Sequence, residues 1–202
     1  MKILITGGAG FLGQRLARKL LEQGRLALGG AAPEPITQID LLDVVQTDAI
    51  NDTRVRSVKG DVADPAVLES LIDTDTTAIF HLAAIVSGQA EADFDLGMRI
   101  NLDASRALLD TCRLRGHRPR VVFTSSVAVY GGALPDTVRD DTALNPQSSY
   151  GTQRPLPNCF WPTTRAAASS TAGRCACPPS ACGRGGPMRR PRRLPAASFA
   201  SP

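Results

Sequence analysis

The last quarter of the chain is defined by what it lacks. Residues 154–202 contain no acid, no isoleucine and no valine, yet hold nine of the 15 prolines and eight arginines. A segment without branched aliphatics and dense in proline cannot bury enough apolar area to offset its ordering entropy, so a disordered tail is expected there. All 19 acidic residues lie in residues 1–153, beside 15 of the 23 Lys and Arg, which gives the first part a net charge of −4 and the tail +8. The sequence pI of about 9.0 therefore belongs to the tail.

Other absences apply to the whole chain. There is no apolar run of membrane-spanning length. The N-terminal apolar run is five or six residues long and ends in a glycine turn, unlike a secretory signal, so a cytoplasmic location is expected. Before residue 154 there is one cysteine, Cys112, expected as a small core residue on a helix. The tail cysteines Cys159, Cys175, Cys177 and Cys182 have neither paired CxxC spacing nor histidine among them, so no metal site is expected.

What is present begins at once. Lys2 to Thr6 is a β-type apolar run, and Gly7, Gly10 and Gly13 follow before the amphipathic run Gln14 to Gln23. A strand, glycine turn and helix start in this order cradle a dinucleotide pyrophosphate. Gly7 and Gly8 permit the tight turn, Gly10 lets backbone approach phosphate, and Gly13 allows close helix–strand contact. The helix N-terminus, at Phe11 and Leu12, adds N–H donors and a positive dipole end. After a Gly, Ala and Pro loop over 24–35, Ile36 to Val44 reads as strand two. Asp43, near its end, is the preferred acceptor for the adenosine ribose hydroxyls, with Asp40 the competitor. It lies 30 residues past Gly13, where about 20 is usual, and the loop accounts for the excess. An acid there repels a 2′-phosphate, which favours NAD over NADP.

Strand three, Val55 to Lys59, runs into Gly60-Asp61-Val62, where Asp61 either meets the adenine or caps the next turn. A helix over Pro65 to Ile72 starts on proline. Strand four is Ala78 to Leu82, followed by Ala83 and Ala84, small enough for a cofactor to pass close. His81 lies inside that strand and reads as a satisfied core histidine rather than a base. A long helix over Asp93 to Arg115 contains Asn101, and strand five, Arg120 to Phe123, leads into Thr124-Ser125-Ser126. Strands buried on both faces, alternating with helices, predict an α/β fold with a doubly wound parallel sheet of Rossmann type.

These residues resemble the extended short-chain dehydrogenase/reductase family, also called the NAD-dependent epimerase/dehydratase family. The matches are TGGAGFLG at 6–13, GDVAD at 60–64, HLAA at 81–84, Asn101, FTSSVAVYGG at 123–132 and SYGTQ at 149–153. The segment 86–103 is similar to the branch that includes D-erythronate dehydrogenases. The resemblance implies an NAD-dependent dehydrogenase or epimerase acting on a hydroxyl of a sugar acid or nucleotide sugar, and a homodimer for the intact fold. It implies that Gly7, Gly10, Phe11, Leu12, Gly13, Asp43, Asp61, Val62, Leu82, Ala83, Ala84, Asn101 and Ser125 contact the cofactor. Ser126 and Tyr150 would be catalytic, with a lysine four residues after the tyrosine to bind the nicotinamide ribose and lower the tyrosine pKa.

That lysine position holds Arg154, which is planar, bulkier and not an equivalent point donor. Pro155, Pro157 and Pro162 follow, and proline within a helix costs about 3 kcal/mol or more. The helix carrying Tyr150 is therefore expected to stop, and the substrate-binding C-terminal part to be missing or disordered. Residues 154–202 also read as a frameshifted translation. Taken from the third base of each codon, the junctions Asn158–Cys159 and Phe160–Trp161 both give leucine and Trp161–Pro162 gives alanine. Codons can be chosen so that Arg154 onward reads KAIAELLLADYTRR, an amphipathic helix continuing SYGTQ. The loss of one A from AAG GCC turns Lys-Ala into Arg-Pro, as found at 154 and 155. GC-rich out-of-frame translation yields Arg and Pro without selection for binding, so the Arg189–Arg193 cluster is not expected to mark a nucleic-acid site.

Overall fold

A computed structural model describes residues 1–116, 118–139 and 141–154. The expected disordered tail, its cysteines and its arginine cluster lie outside the described residues from 155 onward.

Five strands form one all-parallel sheet in the order β5-β4-β1-β6-β7, made of β1 (Lys2–Thr6), β4 (Gln38–Asp43), β5 (Val55–Lys59), β6 (Thr76–His81) and β7 (Arg120–Phe123). The central strand β1 is buried on both faces because its side chains alternate between two cores. Ile3 and Ile5 join Ala17 and Leu20 of α1 (Phe11–Gln23) on one side. Leu4 joins Leu68 and Leu71 of α2 (Pro65–Leu71) and Leu108 of α5 (Ala104–Leu114) on the other. Each such fully buried aliphatic stabilises the sheet by roughly 2 kcal/mol. Helices on both faces of a parallel sheet are the doubly wound architecture the sequence predicts.

Local chemistry sets the ends. α1 stops at Gly24, whose φ of +64° is a left-handed cap with its N–H donating to Leu20 O. α2 starts at Pro65 after Asp64, whose carboxylate accepts from Ala66 N at 2.9 Å. Below the strands' N-terminal ends, Lys2 Nζ donates to Leu71 O at 3.0 Å and also contacts Asp73.

Several expectations are corrected. The loop over 24–35 contains a short antiparallel pair, β2 (Arg25–Leu26) with β3 (Glu34–Pro35). The helix expected over 93–115 is present as one continuous run from Phe94 to Leu114, but α4 (Phe94–Gly97) passes into α5 through a π-helical turn (Met98–Asp103), and a separate α3 (Ser87–Ala92) stands before it. Asp93, which is extended (φ −135°, ψ 92°), separates α3 from this run and caps α4 by accepting from Leu96 N at 2.9 Å. Cys112 is buried on α5 as expected, and burial pushes its thiol up to about 12.

Candidate dinucleotide and active site

The glycine turn is dictated mostly by backbone. Gly7 has φ +72°, and a Cβ there would lie 2.9 Å from Ala83 N. A Cβ on Gly8 would lie 2.6 Å from Leu41 Cβ, and one on Gly13 would overlap the Gly7 carbonyl oxygen. Gly10 differs. Its added Cβ would meet only Gly7 O, at 3.3 Å, so the space beside it is open. α1 begins here with no side-chain cap, and Phe11 and Leu12 are exposed. The first-turn N–H groups and the positive helix end are thus left for an anion. This cradle, which a side chain at Gly10 would fill, fits a pyrophosphate.

Beside the turn lies a cleft of about 260 Å³ at the C-terminal ends of β4, β5 and β6, lined in part by Gly7, Asp43, Asp61, Val62, Ala83 and Ala84. It is where open α/β sheets take ligands. Asp43 Oδ2 accepts from Ala9 N at 3.0 Å, tying β4 to the turn while the carboxylate faces the cleft. Asp40 does other work. It is fully buried and accepts two hydrogen bonds from Arg56, at 2.8 and 2.9 Å.

Of its two expected roles, Asp61 takes the turn cap, and it also lines the cleft. Oδ1 caps the next turn by accepting from Ala63 N at 2.9 Å, while Oδ2 pairs with Arg99 Nη1 at 2.5 Å on the cleft wall. Burial alone would raise its pKa, but the Arg99 hydrogen bond, the Ala63 N–H and the Arg99 charge outweigh it and hold the carboxyl below its usual range.

Two residues expected at the cofactor stand behind the wall. Leu82 packs partly buried with the α1-side core, and its N–H donates to Thr6 O. Asn101 is 1% exposed. Its Oδ1 accepts from Ile85 N at 3.1 Å and its Nδ2 donates to Gln153 Oε1 at 2.9 Å, so it pins the β6–α3 loop to the segment that carries Tyr150.

His81 is the satisfied core histidine the sequence suggests. Ser105 Oγ donates to Asn101 O at 3.1 Å and so accepts from His81 Nε2 at 3.0 Å, which leaves Nδ1 to accept from Thr6 Oγ1 at 2.7 Å. This chain fixes one neutral tautomer. Burial first, and the charge of Arg154 second, push the imidazole down to about 4.

Ser125 is exposed after β7. Ser126 starts a 3-10 turn (Val127–Val129), accepting from Ala128 N at 3.2 Å with its own hydroxyl proton still to donate. α6 (Ser149–Gln153) packs on that turn because Gly151 has no side chain: a Cβ there would overlap Ala128 O. The helices and turns carrying Ser126 and Tyr150 are thereby brought together. Ser148 Oγ caps α6 by accepting from Gly151 N at 3.0 Å, and Glu91 of α3 accepts from Tyr150 N at 2.8 Å. The Tyr150 N–H, then the Ser149 hydroxyl, hold the Glu91 carboxyl below its usual range.

Arg154 ends this segment and is 3% exposed. Its guanidinium lies 5.2 Å from the Tyr150 ring centroid and 5.6 Å from that of Phe123, and Nη1 donates to Thr124 O at 3.4 Å. A positive charge therefore does lie beside Tyr150, but stacked between rings.

A sequence model of the NAD dependent epimerase/dehydratase family matches residues 3–196. The chain belongs to that family. Among curated relatives, a D-erythronate dehydrogenase of Cupriavidus necator is 69% identical over 156 residues, which are 77% of this chain and 48% of the relative. One of Haemophilus influenzae is 48% identical over 157 residues, 77% of this chain and 47% of the relative. The chain thus spans about half the length of the curated relatives it matches. A crystal structure of a nucleoside-diphosphate-sugar epimerase from Agrobacterium tumefaciens superposes with a TM-score of 0.76 at 39% identity, covering 85% of this chain and 51% of that one.

Within this NAD dependent epimerase/dehydratase fold, sequence reasoning missed Arg99, Glu91 and Gln153. No local signal marks Arg99, whose partner lies 38 residues away. Gln153 is fully buried against Asn101, and Glu91 reaches Tyr150 across 59 residues. No helix among the described residues is long and apolar enough to cross a membrane.

Proposed function

We propose that residues 1–153 are the NAD-binding half of a sugar-acid dehydrogenase of the D-erythronate type. We further propose that residues 154–202 are an out-of-frame reading of the part that would complete it. The high identity to D-erythronate dehydrogenases over 156 residues carries this reading. That length is close to the extent of the chain before its composition changes.

In this reading the Phe11, Leu12 and Gly13 N–H groups receive the pyrophosphate over Gly7 and Gly10. Asp43 accepts from the adenosine ribose hydroxyls and repels a 2′-phosphate. Asp61 and Val62 bound the adenine end, Ala83 and Ala84 leave room along the wall, and Leu82 and Asn101 shape it from behind. Ser125 borders the nicotinamide. When bound, NAD supplies the hydride acceptor. Ser126 donates to the substrate oxygen and the Tyr150 phenolate takes the hydroxyl proton.

The buried Arg154 favours a second reading for the 202-residue chain: NAD binding without turnover. A cation beside Tyr150 favours its phenolate, but this guanidinium is committed to Thr124 O and two rings. Its Nε is buried without a hydrogen-bond partner among the described residues, so the charge is held in the core rather than presented to a ribose hydroxyl. Nucleic-acid binding through the basic tail is the weakest reading, since GC-rich out-of-frame translation yields such an Arg cluster without selection for binding.

The decisive test is the nucleotide sequence across codons 153–155. An added base should restore lysine at 154 and encode the amphipathic helix in the shifted frame. The protein expressed from the restored frame should oxidise D-erythronate with NAD, while the 202-residue chain should not. A shifted frame without that helix would remove the frameshift. A restored enzyme that ignores D-erythronate but oxidises another sugar acid would remove the substrate assignment.

A further inference from the structure

The cleft holds one basic residue that the functional reading leaves unused. Arg99 sits on the π-helical turn Met98–Asp103, a helical irregularity found often at functional sites. It lines the same cleft as Asp43 at the end of β4. Two positions further on, Asn101 is turned into the core. The turn therefore uses one face to hold the fold and the other to present Arg99.

The Arg99–Asp61 pair is poorly suited to a purely structural role. Both side chains are substantially exposed, 51% and 34%, and exposed ion pairs contribute about 0–1 kcal/mol. What the pair does fix is geometry. Asp61 Oδ1 is held by Ala63 N and Oδ2 by Arg99, so the carboxylate cannot rotate. Its remaining lone pairs can still accept from an exocyclic amine. Held at one edge by Asp61, the planar guanidinium keeps its face for stacking on an aromatic ring. The apolar side chains Val62 and Ile100 border the same space.

We propose that Arg99 is a cofactor-binding residue, which with Asp61 forms the wall that recognises the adenine ring of an adenine dinucleotide. The proposal rests on the NAD reading above. It adds a residue to it and assigns that residue to the base rather than to the phosphates. Because Arg99 is neutralised by Asp61, it does not offset the repulsion of a 2′-phosphate by Asp43.

The test is calorimetry on the full 202-residue chain with NAD and with nicotinamide hypoxanthine dinucleotide, in which a carbonyl oxygen replaces the exocyclic amine. The wild-type chain should prefer NAD. Arg99→Ala should weaken NAD about tenfold and reduce the preference over the hypoxanthine analogue to about twofold or less, with an unchanged unliganded melting temperature. Arg99→Lys, which keeps the charge but loses the planar face, should lose about half of that effect on a logarithmic scale. NAD affinity in Arg99→Ala within about twofold of wild type, with the base preference intact, would overturn the proposal. Failure of the wild-type chain to bind NAD at all would overturn the cofactor reading and this proposal with it, and that result is distinct from the first.

Discussion

At the glycine turn, backbone packs on backbone; at Tyr150, a five-residue helix hangs on side-chain caps. The first end is set by Gly7, Gly8 and Gly13 against Ala83, Leu41 and the turn itself, all anchored to the central strands. The second depends on Ser148, on an exposed glutamate from α3 and on a buried amide pair between Asn101 and Gln153. The difference teaches that binding and chemistry are separable here. In the proposed reading the adenosine and pyrophosphate end lies within residues 1–101, whereas the catalytic end needs a continuation of α6 past Gln153.

Four perturbations probe that separation. The largest effect is expected from Asp40→Ala. It removes the buried acceptor of two Arg56 hydrogen bonds, with Arg56 half-exposed and Lys2 still paired to Asp73, and should cost about 3 kcal/mol in urea unfolding, whereas Asp43→Ala, three residues on, should spend its effect on NAD affinity. Equal stability losses at the two acids would blur the distinction between core ion pair and ligand site.

Next comes Gly10→Asp. Its φ of −72° suits any residue, so the fold should survive, but a carboxylate would fill the open cradle and cap α1. NAD affinity should fall about 100-fold or more at an unchanged melting temperature. A variant that binds normally would show that the pyrophosphate lies elsewhere.

His81, between the two ends, should make stability depend on pH. Its folded pKa of about 4 lies below its ordinary 6.5, so the unfolded chain takes up the proton first as pH falls. Stability should therefore drop between about pH 6.5 and 4, by about 2 kcal/mol on going from pH 7.5 to 5. Urea titrations of wild type and His81→Gln would show this as a pH dependence lost in the variant.

The smallest effect is expected at Glu91, which is exposed. Glu91→Gln should speed amide exchange at α6 and leave NAD affinity within about twofold. The native carboxylate's grip on α6 holds above its ordinary pKa and is lost as pH falls through the depressed folded value, so wild-type α6 should likewise exchange faster in acid. An equal loss of NAD affinity would couple the two ends after all.

Much of this was legible in the residues because local rules decide it. The bounds of β1, β5 and β7 follow from apolar runs between turn residues, and the glycine spacing marks the cradle. His81 inside an apolar strand reads correctly as core. What was not legible is set by partners far along the chain. The amphipathic pattern of 93–115 marks the helix but does not show the π-helical turn Met98–Asp103 within it. Nor does it show that Asn101 turns inward to Ile85 and Gln153, or that Arg99 finds Asp61. Those contacts form only once the strand ends have been brought together.

The central claim is that this chain keeps a dinucleotide site whose chemistry has been cut off. Titrating NAD into the 202-residue chain, with turnover of D-erythronate followed on the same sample, tests it most directly. The account predicts saturable NAD binding that Gly10→Asp abolishes, with no NADH formed. Ordinary turnover, or no binding by the wild-type chain, would contradict it.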